Sequence, residues 1–533
     1  MSIITPYSTE DEAAKTEKPG MWVQEAIFGH RFIEEQKPFM LVLEVLSVCA
    51  SVHRQGNKLF DHGVVNATHT EELSVSIEVR DALRYLLFED TTLERLKSDE
   101  TMTDDQRLAS WVSELNKGFR SRTKRSEAFS YLNDRFEGRF EALVQAVEIL
   151  RGLQIEPLAS RRWTSRFLAP RGSKLLFADI AIKMSSDRRF FGRGGELLYL
   201  MLSRSEHSDR LEPLVRGAFL SDTDRIDVLI EQISPPDNKF TKDAPVGYLP
   251  LAHHKSYDRL AEDWISLLEL PGLPTPQKFE PLFRLTSLNL VRYFMERSAE
   301  VIGQGADRDV AIEPIVLDVT GNGVLRDRSI SALKRTKEVV DDAVSTFVRT
   351  TMEQEPKWEQ AKLHHDPKMQ SELAIEAIEK TFSTGILSKN SGSTSSPEKW
   401  LSLFVSDVRS RSRNNTPKLI EPLGKGGGFI ASKSGSGTWF CGSDEFLEAL
   451  VLARVKKDAI TIDAFLSDLY ERYGIIIGPV EAGKAFLKRT FDTTSFEENA
   501  RELERRLTGL GFVKRLSDDC AFVSNPYSKI LES

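Results

Sequence analysis

The chain has 533 residues, 40% of them hydrophobic and 29% charged, which fits roughly three domains with ample core and excludes a mainly disordered polymer. Lys and Arg number 72 against 80 Asp and Glu, so the net charge of −8 excludes nucleic-acid binding driven by overall basicity. Cys49, Cys441 and Cys520 are too widely spaced for a disulfide framework or a zinc knuckle, and this usage places the chain in a reducing cytoplasm.

Residues 1–20 are polar and acidic, lack the basic-then-apolar order of a signal peptide, and read as a mobile tail. Residues 21–155 predict a helical domain, because Phe39, Val42, Leu43 and Leu46, and again Phe136, Phe140, Leu143 and Val147, recur at helical spacing. The richest apolar run, PFMLVLEVLSVCASV, is interrupted by Glu44 and is too short to span a bilayer, so no membrane partner is expected. Residues 156–385 predict a mainly helical middle domain with a basic N-terminal part and strand-like pieces at LLFADIAIKM and IEPIVLDVTG. In residues 386–437, SKNSGSTSSP and GKGGGFIASKSGSGT bracket the helical WLSLFVSDVRSR. Such Gly and Ser density buries little apolar area, so the stretch reads as a flexible or partly ordered connection.

Residues 438–533 contain three amphipathic runs and a strand-turn-strand. The runs are DEFLEALVLARV, then ITIDAFLSDLYERYGI closed by Gly474, then SFEENARELERRLTGLG. In the third, Ser495 and Glu498 have the spacing of a capping box, and Ala500, Leu503, Leu507 and Leu510 form one apolar stripe. FVKRLSDDCAFVSNP then supplies two short strands around Ser517, Asp518 and Asp519. This order of helices and hairpin resembles the winged helix-turn-helix superfamily, whose members bind DNA or protein. From Thr438 to Ser533 there are 13 Lys and Arg against 16 Asp and Glu, and Glu497 and Glu498 open the third helix. Both facts argue against tight DNA binding, although Arg501, Arg505 and Arg506 can still meet phosphates.

One segment departs from the acidic background. Between Gly118 and Arg204, 17 Lys and Arg face 9 Asp and Glu, a net of +8 that leaves −16 for the remainder. The clusters are Arg120, Arg122, Lys124 and Arg125; Arg161, Arg162, Arg166, Arg171 and Lys174; and Arg188, Arg189 and Arg193. Phe119, Trp163, Phe167, Phe190 and Phe191 are interleaved with them. Guanidinium forks fit phosphates and aromatic faces accept unstacked bases, so these residues, with Arg501 and Arg505, are the candidate nucleic-acid-binding set. The competing reading is that they pair with acids inside the protein or across a subunit interface.

Apparent catalytic motifs fail on inspection. GPVEAGKA, Gly478 to Ala485, has phosphate-loop spacing, but Ala485 stands where a magnesium-binding hydroxyl belongs and no parallel sheet is expected around it. Asp318 to Ser329 begins like a calcium loop with Asp318, Thr320, Asn322 and Gly323, yet ends in Ser329 instead of a bidentate Glu, so it reads as a turn. Cys49 and His53 with His62 and His69 make a poor metal set, because Cys49 lies in an apolar run. Asp179 and Lys183 lack a second carboxylate at Ala181 for a nuclease core. The serines of SKSGSGTW have no nucleophile-elbow context, and His253-His254 and His364-His365 read as solvent-facing pairs. No catalytic residue, metal ligand or cofactor is therefore assigned.

Arg188 to Ser205, RRFFGRGGELLYLMLSRS, and the helix RLTSLNLVRYFMERS resemble accessory subunits of multi-gene bacterial anti-phage or restriction systems, such as methylation-associated and phosphorothioation-linked ones. The resemblance implies a non-enzymatic component working beside separately encoded ATPase, nuclease or methyltransferase chains. The expected fold is mainly α, a multidomain helical protein with a C-terminal winged helix (α+β). The expected role is a nucleic-acid-associated scaffold subunit of an antiviral defence assembly, with DNA and other protein subunits as partners. Two alternatives stay open: a protein-only adaptor whose Arg clusters seat an acidic partner, and an enzyme with an unrecognised site.

Overall fold

A computed structural model describes residues 19–29, 36–61, 74–88, 92–123, 128–155, 163, 166–175, 194–221, 224–236, 239–240, 244–245, 249–306, 311–321, 323–388, 394–413, 416–486, 492–517 and 520–529. The fold is mainly α, with 69% helix and 7% strand among the described residues. The helices that organise it are α1 (Pro19–Phe28), α2 (Pro38–Arg54), α3 (Asp81–Phe88), α4 (Asp104–Thr123), α5 (Phe140–Arg151), α6 (Gly194–Ser203), α7 (Lys255–Leu268), α8 (Thr275–Ala306), α9 (Gly323–Glu353), α10 (Pro397–Ser412) and α11 (Thr416–Gly427). They are followed by α12 (Asp444–Arg454), α13 (Ile462–Tyr473), α14 (Pro479–Ala485) and α15 (Thr493–Gly509).

The centre of the molecule is α8. From Pro281 to Ala299 every residue except Arg284 is buried, so this helix has no solvent face and is enclosed by neighbours on all sides. It packs against α2, α7, α9, α11 and α12. Its small polar residues make that approach possible without stranding their hydroxyls. Ser287 donates to the Leu423 carbonyl at 2.6 Å, and Thr286 accepts from the Trp264 indole at 2.9 Å. The buried apolar residues form one continuous cluster from Val23 to Val523.

The N-terminal helices bury their predicted faces, including Phe39, Leu43, Leu46, Phe140, Leu143 and Val147. Glu44, which interrupts the apolar run of α2, is only 7% exposed and accepts from the Gly195 amide at the start of α6, at 2.6 Å. An anion at a helix N-terminus explains its presence in the run. Strands β1 (Ser74–Val75) and β2 (Glu78–Val79) pair antiparallel with β4 (Ala244–Pro245) and β3 (Lys239–Phe240), tying this region to the middle of the chain. Of the two strand-like pieces expected in residues 156–385, the second carries β5 (Ile315–Val316); LLFADIAIKM lies, beyond its first residue, outside the described residues.

The described part of the Gly/Ser-rich stretch is ordered. It carries α10, α11 and a hairpin of β6 (Ile430–Lys433) and β7 (Gly437–Phe440), and Trp400, Phe404, Leu419, Ile420, Leu423 and Phe429 are buried. The glycines serve close packing instead of mobility. An ideal Cβ on Gly424 would stand 2.3 Å from Ile430 Cδ1, and one on Gly427 2.7 Å from the Phe429 ring.

Beyond the hairpin, α12 leads to β8 (Ile460–Thr461), α13, β9 (Ile475–Ile476), α14, α15, β10 (Val513–Ser517) and β11 (Cys520–Val523). A three-stranded antiparallel sheet has the order β10-β11-β8. The cap of α15 differs from the expectation at Ser495. Asp492 is the N-cap and accepts from the Thr494 amide at 3.0 Å, while Ser495 donates to the same carboxylate at 2.5 Å. The apolar stripe is buried at Leu503 and Leu507 and half-buried at Ala500 and Leu510. A parallel pair does form at the phosphate-loop-like motif, contrary to expectation: β9 pairs with β5, Ile315 opposite Ile475. It is two residues long, and the helix after it has only seven residues.

Gly424→Val should overpack the α11–hairpin contact and cost about 1–3 kcal/mol, read as a lowered urea midpoint. An unchanged midpoint would mean that this segment is as loosely held as its composition implies.

Candidate nucleic-acid interface and a buried ion network

Half of the predicted basic set lies outside the described residues: Lys124, Arg125, Arg161, Arg162, Arg188, Arg189 and Arg193. The other seven are dispersed. Arg120 and Arg122 are exposed on the last turn of α4. Arg166 is half-buried with its guanidinium 5.8 Å from the Phe88 ring centre. Arg171 meets Asp224 at 3.3 Å and Lys174 meets Glu231 at 3.7 Å. Arg501 and Arg505, both 74% exposed, pair along α15 with Glu497 at 3.5 Å and Glu502 at 2.6 Å. Exposed pairs of this kind are weak enough to exchange for a phosphate.

The interleaved aromatics are not a stacking platform where they are described. Phe119, Trp163 and Phe167 are 1%, 5% and 3% exposed. Phe119 and Trp163 each meet the Tyr85 ring edge-on with centres 5.3 Å apart, and Phe167 lies under the Arg84 guanidinium at 4.2 Å. Burial of large apolar rings outweighed any use at the surface. Phe190 and Phe191 lie outside the described residues.

The rejected motifs resolve into structural roles. Asp318 Oδ1 accepts from the Thr320 and Gly321 amides at 3.0 and 2.8 Å, and Gly321 has φ +70°, so this loop is a turn. Ser329 is buried and donates to the Phe440 carbonyl at 2.9 Å. Cys49 is buried, which pushes its thiol well up, and its neighbour His53 contacts Arg216; His62 and His69 lie outside the described residues. Among the described residues no group of three His, Cys, Asp or Glu is placed to hold a metal. His364 and His365 are exposed as expected, but His254 is not: it is 1% exposed, caps α7 by accepting from the Ser256 amide, and lies 2.9 Å from Glu300.

The densest polar feature was not apparent in the sequence. Asp263 on α7, fully buried, accepts from Arg472 at 2.6 Å, from the Tyr473 hydroxyl at 2.9 Å and from Asn289 at 2.7 Å. Arg472 also reaches Glu262 at 2.7 Å and the Arg259 carbonyl at 2.9 Å. Asn289 passes the chain to Arg259 at 2.9 Å, and Arg259 grips Glu296 with two bonds of 2.8 and 3.1 Å. The network therefore bolts α13 of the C-terminal module onto α7 and α8. Its only sequence signals are polar residues inside helical apolar spacing, which by itself names no partner.

Residues 327–525 match the model of a family described as methylation-associated defense system protein MAD7. Over that span the chain is similar to a defense-system protein. No curated protein matches the chain. The MAD7 match takes in most of α9, then α10, α11, the hairpin and the C-terminal module through β11, well under half of the chain and none of the basic segment. The two stretches that carry the resemblance noted above, 188–205 and 284–298, lie outside it. The match supports a component of a methylation-associated defense system. No described helix is long and apolar enough to cross a membrane.

Asp263→Ala should cost about 3–5 kcal/mol in urea unfolding, because it removes the buried acceptor shared by Arg472, Tyr473 and Asn289 and leaves Arg472 only the more exposed Glu262 carboxylate; a loss below about 1 kcal/mol would remove the network's structural role. A pH test bears on the same cluster. Burial raises the Glu296 carboxyl, but Arg259, Arg292 and the Ser256 hydroxyl outweigh it and hold the group at about 2. A depressed folded value means that the stabilisation is full above the ordinary 4.5 and is lost as pH falls toward 2. Urea midpoints should decline across that window, and less steeply in Glu296→Gln.

Proposed function

We propose that the chain is a scaffold subunit of a cytoplasmic, methylation-associated anti-phage assembly, holding DNA through the basic segment and partner subunits through its C-terminal module. The observation that carries this reading is the MAD7 match over residues 327–525, which takes in α13, the helix that Arg472 fastens to Asp263 of α7. In this reading residues 21–155, 156–385 and 438–533 are working units joined by a continuous core.

The C-terminal unit is a winged helix in this proposal. Support comes from the order α12, β8, α13, α15, β10, β11 and from the sheet in which β8 and β10 flank β11. The insertion of β9 and α14 between the second and third helices departs from the simplest form. DNA contact is proposed to be phosphate tracking by Arg120, Arg122, Lys124, Arg125, Arg161, Arg162, Arg166, Arg171, Lys174, Arg188, Arg189 and Arg193, with Arg501 and Arg505 as secondary contacts.

A second reading, a protein-only adaptor, is favoured by a specific observation: Arg171, Lys174, Arg501 and Arg505 already face acids of the same chain. One experiment separates the two. Charge reversal of Arg161, Arg162 and Arg166 to Glu should weaken duplex binding and reduce its salt slope by about one unit per lost phosphate contact. Unchanged DNA binding at low salt in the folded variant would leave the adaptor reading standing.

A further inference from the structure

A cavity of about 690 Å³ opens where the C-terminal module meets α8, α9 and the 311–314 approach to β5. Arg292, Arg335 and Lys484 line it from three different helices, with Tyr470 and Phe486. At its inner wall Arg292 is 6% exposed and incompletely matched. Its Nη2 donates to Glu296 at a long 3.4 Å, while Nε and Nη1 meet no acceptor among the described residues. Glu296 has little left to offer, since Arg259 takes both of its oxygens and Ser256 donates to it at 2.6 Å. A buried guanidinium with two unspent donors is costly unless something outside the chain meets them.

The surroundings leave room for that. Gly474 ends α13 with φ +66°, and a Cβ there would press on the guanidinium at 3.0 Å. Lys484, exposed, reaches only the Ser467 hydroxyl among the described residues, at 3.5 Å. Two acids also line the cavity. Glu313 is held by Arg335 at 3.5 Å, and Glu471 accepts from Ser467 at 3.4 Å. The C-terminal ends of α13 and α14 border it too, and their carbonyl dipoles oppose an anion, so charge selection falls to Arg292 and Lys484.

We propose that this cavity binds a small phosphate-bearing anion of nucleotide size, its phosphate between Arg292 and Lys484 and its organic part bounded by Tyr470 and Phe486. The volume suits a ligand of that class, and a guanidinium fork beside an ammonium suits a phosphate better than a lone carboxylate. Lys484 does not act here as a phosphate-loop lysine: it comes from the last turn of α14, and no magnesium ligand follows it. The site is independent of DNA contact by the basic segment.

Titration calorimetry of the full chain with AMP, ATP and pyrophosphate, magnesium-free and at low salt, tests it. Saturable binding of AMP or ATP is expected, weakened at least about tenfold by Lys484→Ala, whose exposed side chain does not hold the fold, and lost in Arg292→Met. Adenosine, lacking the phosphate, should give no saturable heat. Absence of saturable binding by AMP and ATP in the wild-type chain overturns the proposal, as does equal binding by the wild type and Lys484→Ala or equal binding of adenosine and AMP.

Discussion

The carboxylate of Asp263 holds the molecule's two halves in register. It sits on α7 with no exposure, and its three partners come from two other helices: Asn289 on α8, and Arg472 and Tyr473 at the end of α13. Removing a charge from water is expensive, and the arrangement recovers that cost only if every donor arrives together. Docking of the C-terminal module on α8 is thus specified by polar geometry as well as by apolar contact. Arg472 must lie in the last turn of α13 for this to work, which the left-handed Gly474 cap makes possible by ending the helix at that point.

The same requirement explains the composition of α8. A helix enclosed on all sides needs apolar residues on every face, yet it also carries Asn289, Arg292, Glu296 and Arg297, all buried. Asn289 and Glu296 face α7, Arg297 donates to the Ile27 carbonyl of α1 at 3.3 Å, and Arg292 lines the cavity beside the C-terminal module. A central helix of this kind blurs the boundary between domains, because residues far apart in sequence share one core through it.

Local signals in the sequence were sufficient for the class and for most of the C-terminal elements. The runs at 444–454, 462–473 and 493–509 are helices because their apolar residues recur at helical spacing and a cap is available at Ser443, Thr461 or Asp492. What misled was composition read without partners. Glycine density at 424–428 reads as flexibility when isolated, but beside Phe429 and Ile430 it reads as the space those side chains occupy. Phe119, Trp163 and Phe167 read as stacking faces beside arginines, yet their area is worth more in the core around Tyr85 and Phe39. The partners within the Asp263 network could not be read from the sequence, since bonded members are separated by up to 213 positions.

Withdrawal of those three rings from the surface narrows how the proposed subunit handles DNA. In the proposed function, arginines that have no exposed ring beside them for a base to stack on would contact phosphate and distinguish little between sequences. Under the proposed function, discrimination of a target would then have to come from other subunits of the assembly. The MAD7 match covers the docked module and leaves out both the basic segment and the helices α7 and α8 on which the module is seated. A surface that only tracks phosphates tolerates wide change in its residues as long as its charge persists, whereas a module seated by Asp263 and Arg472 does not.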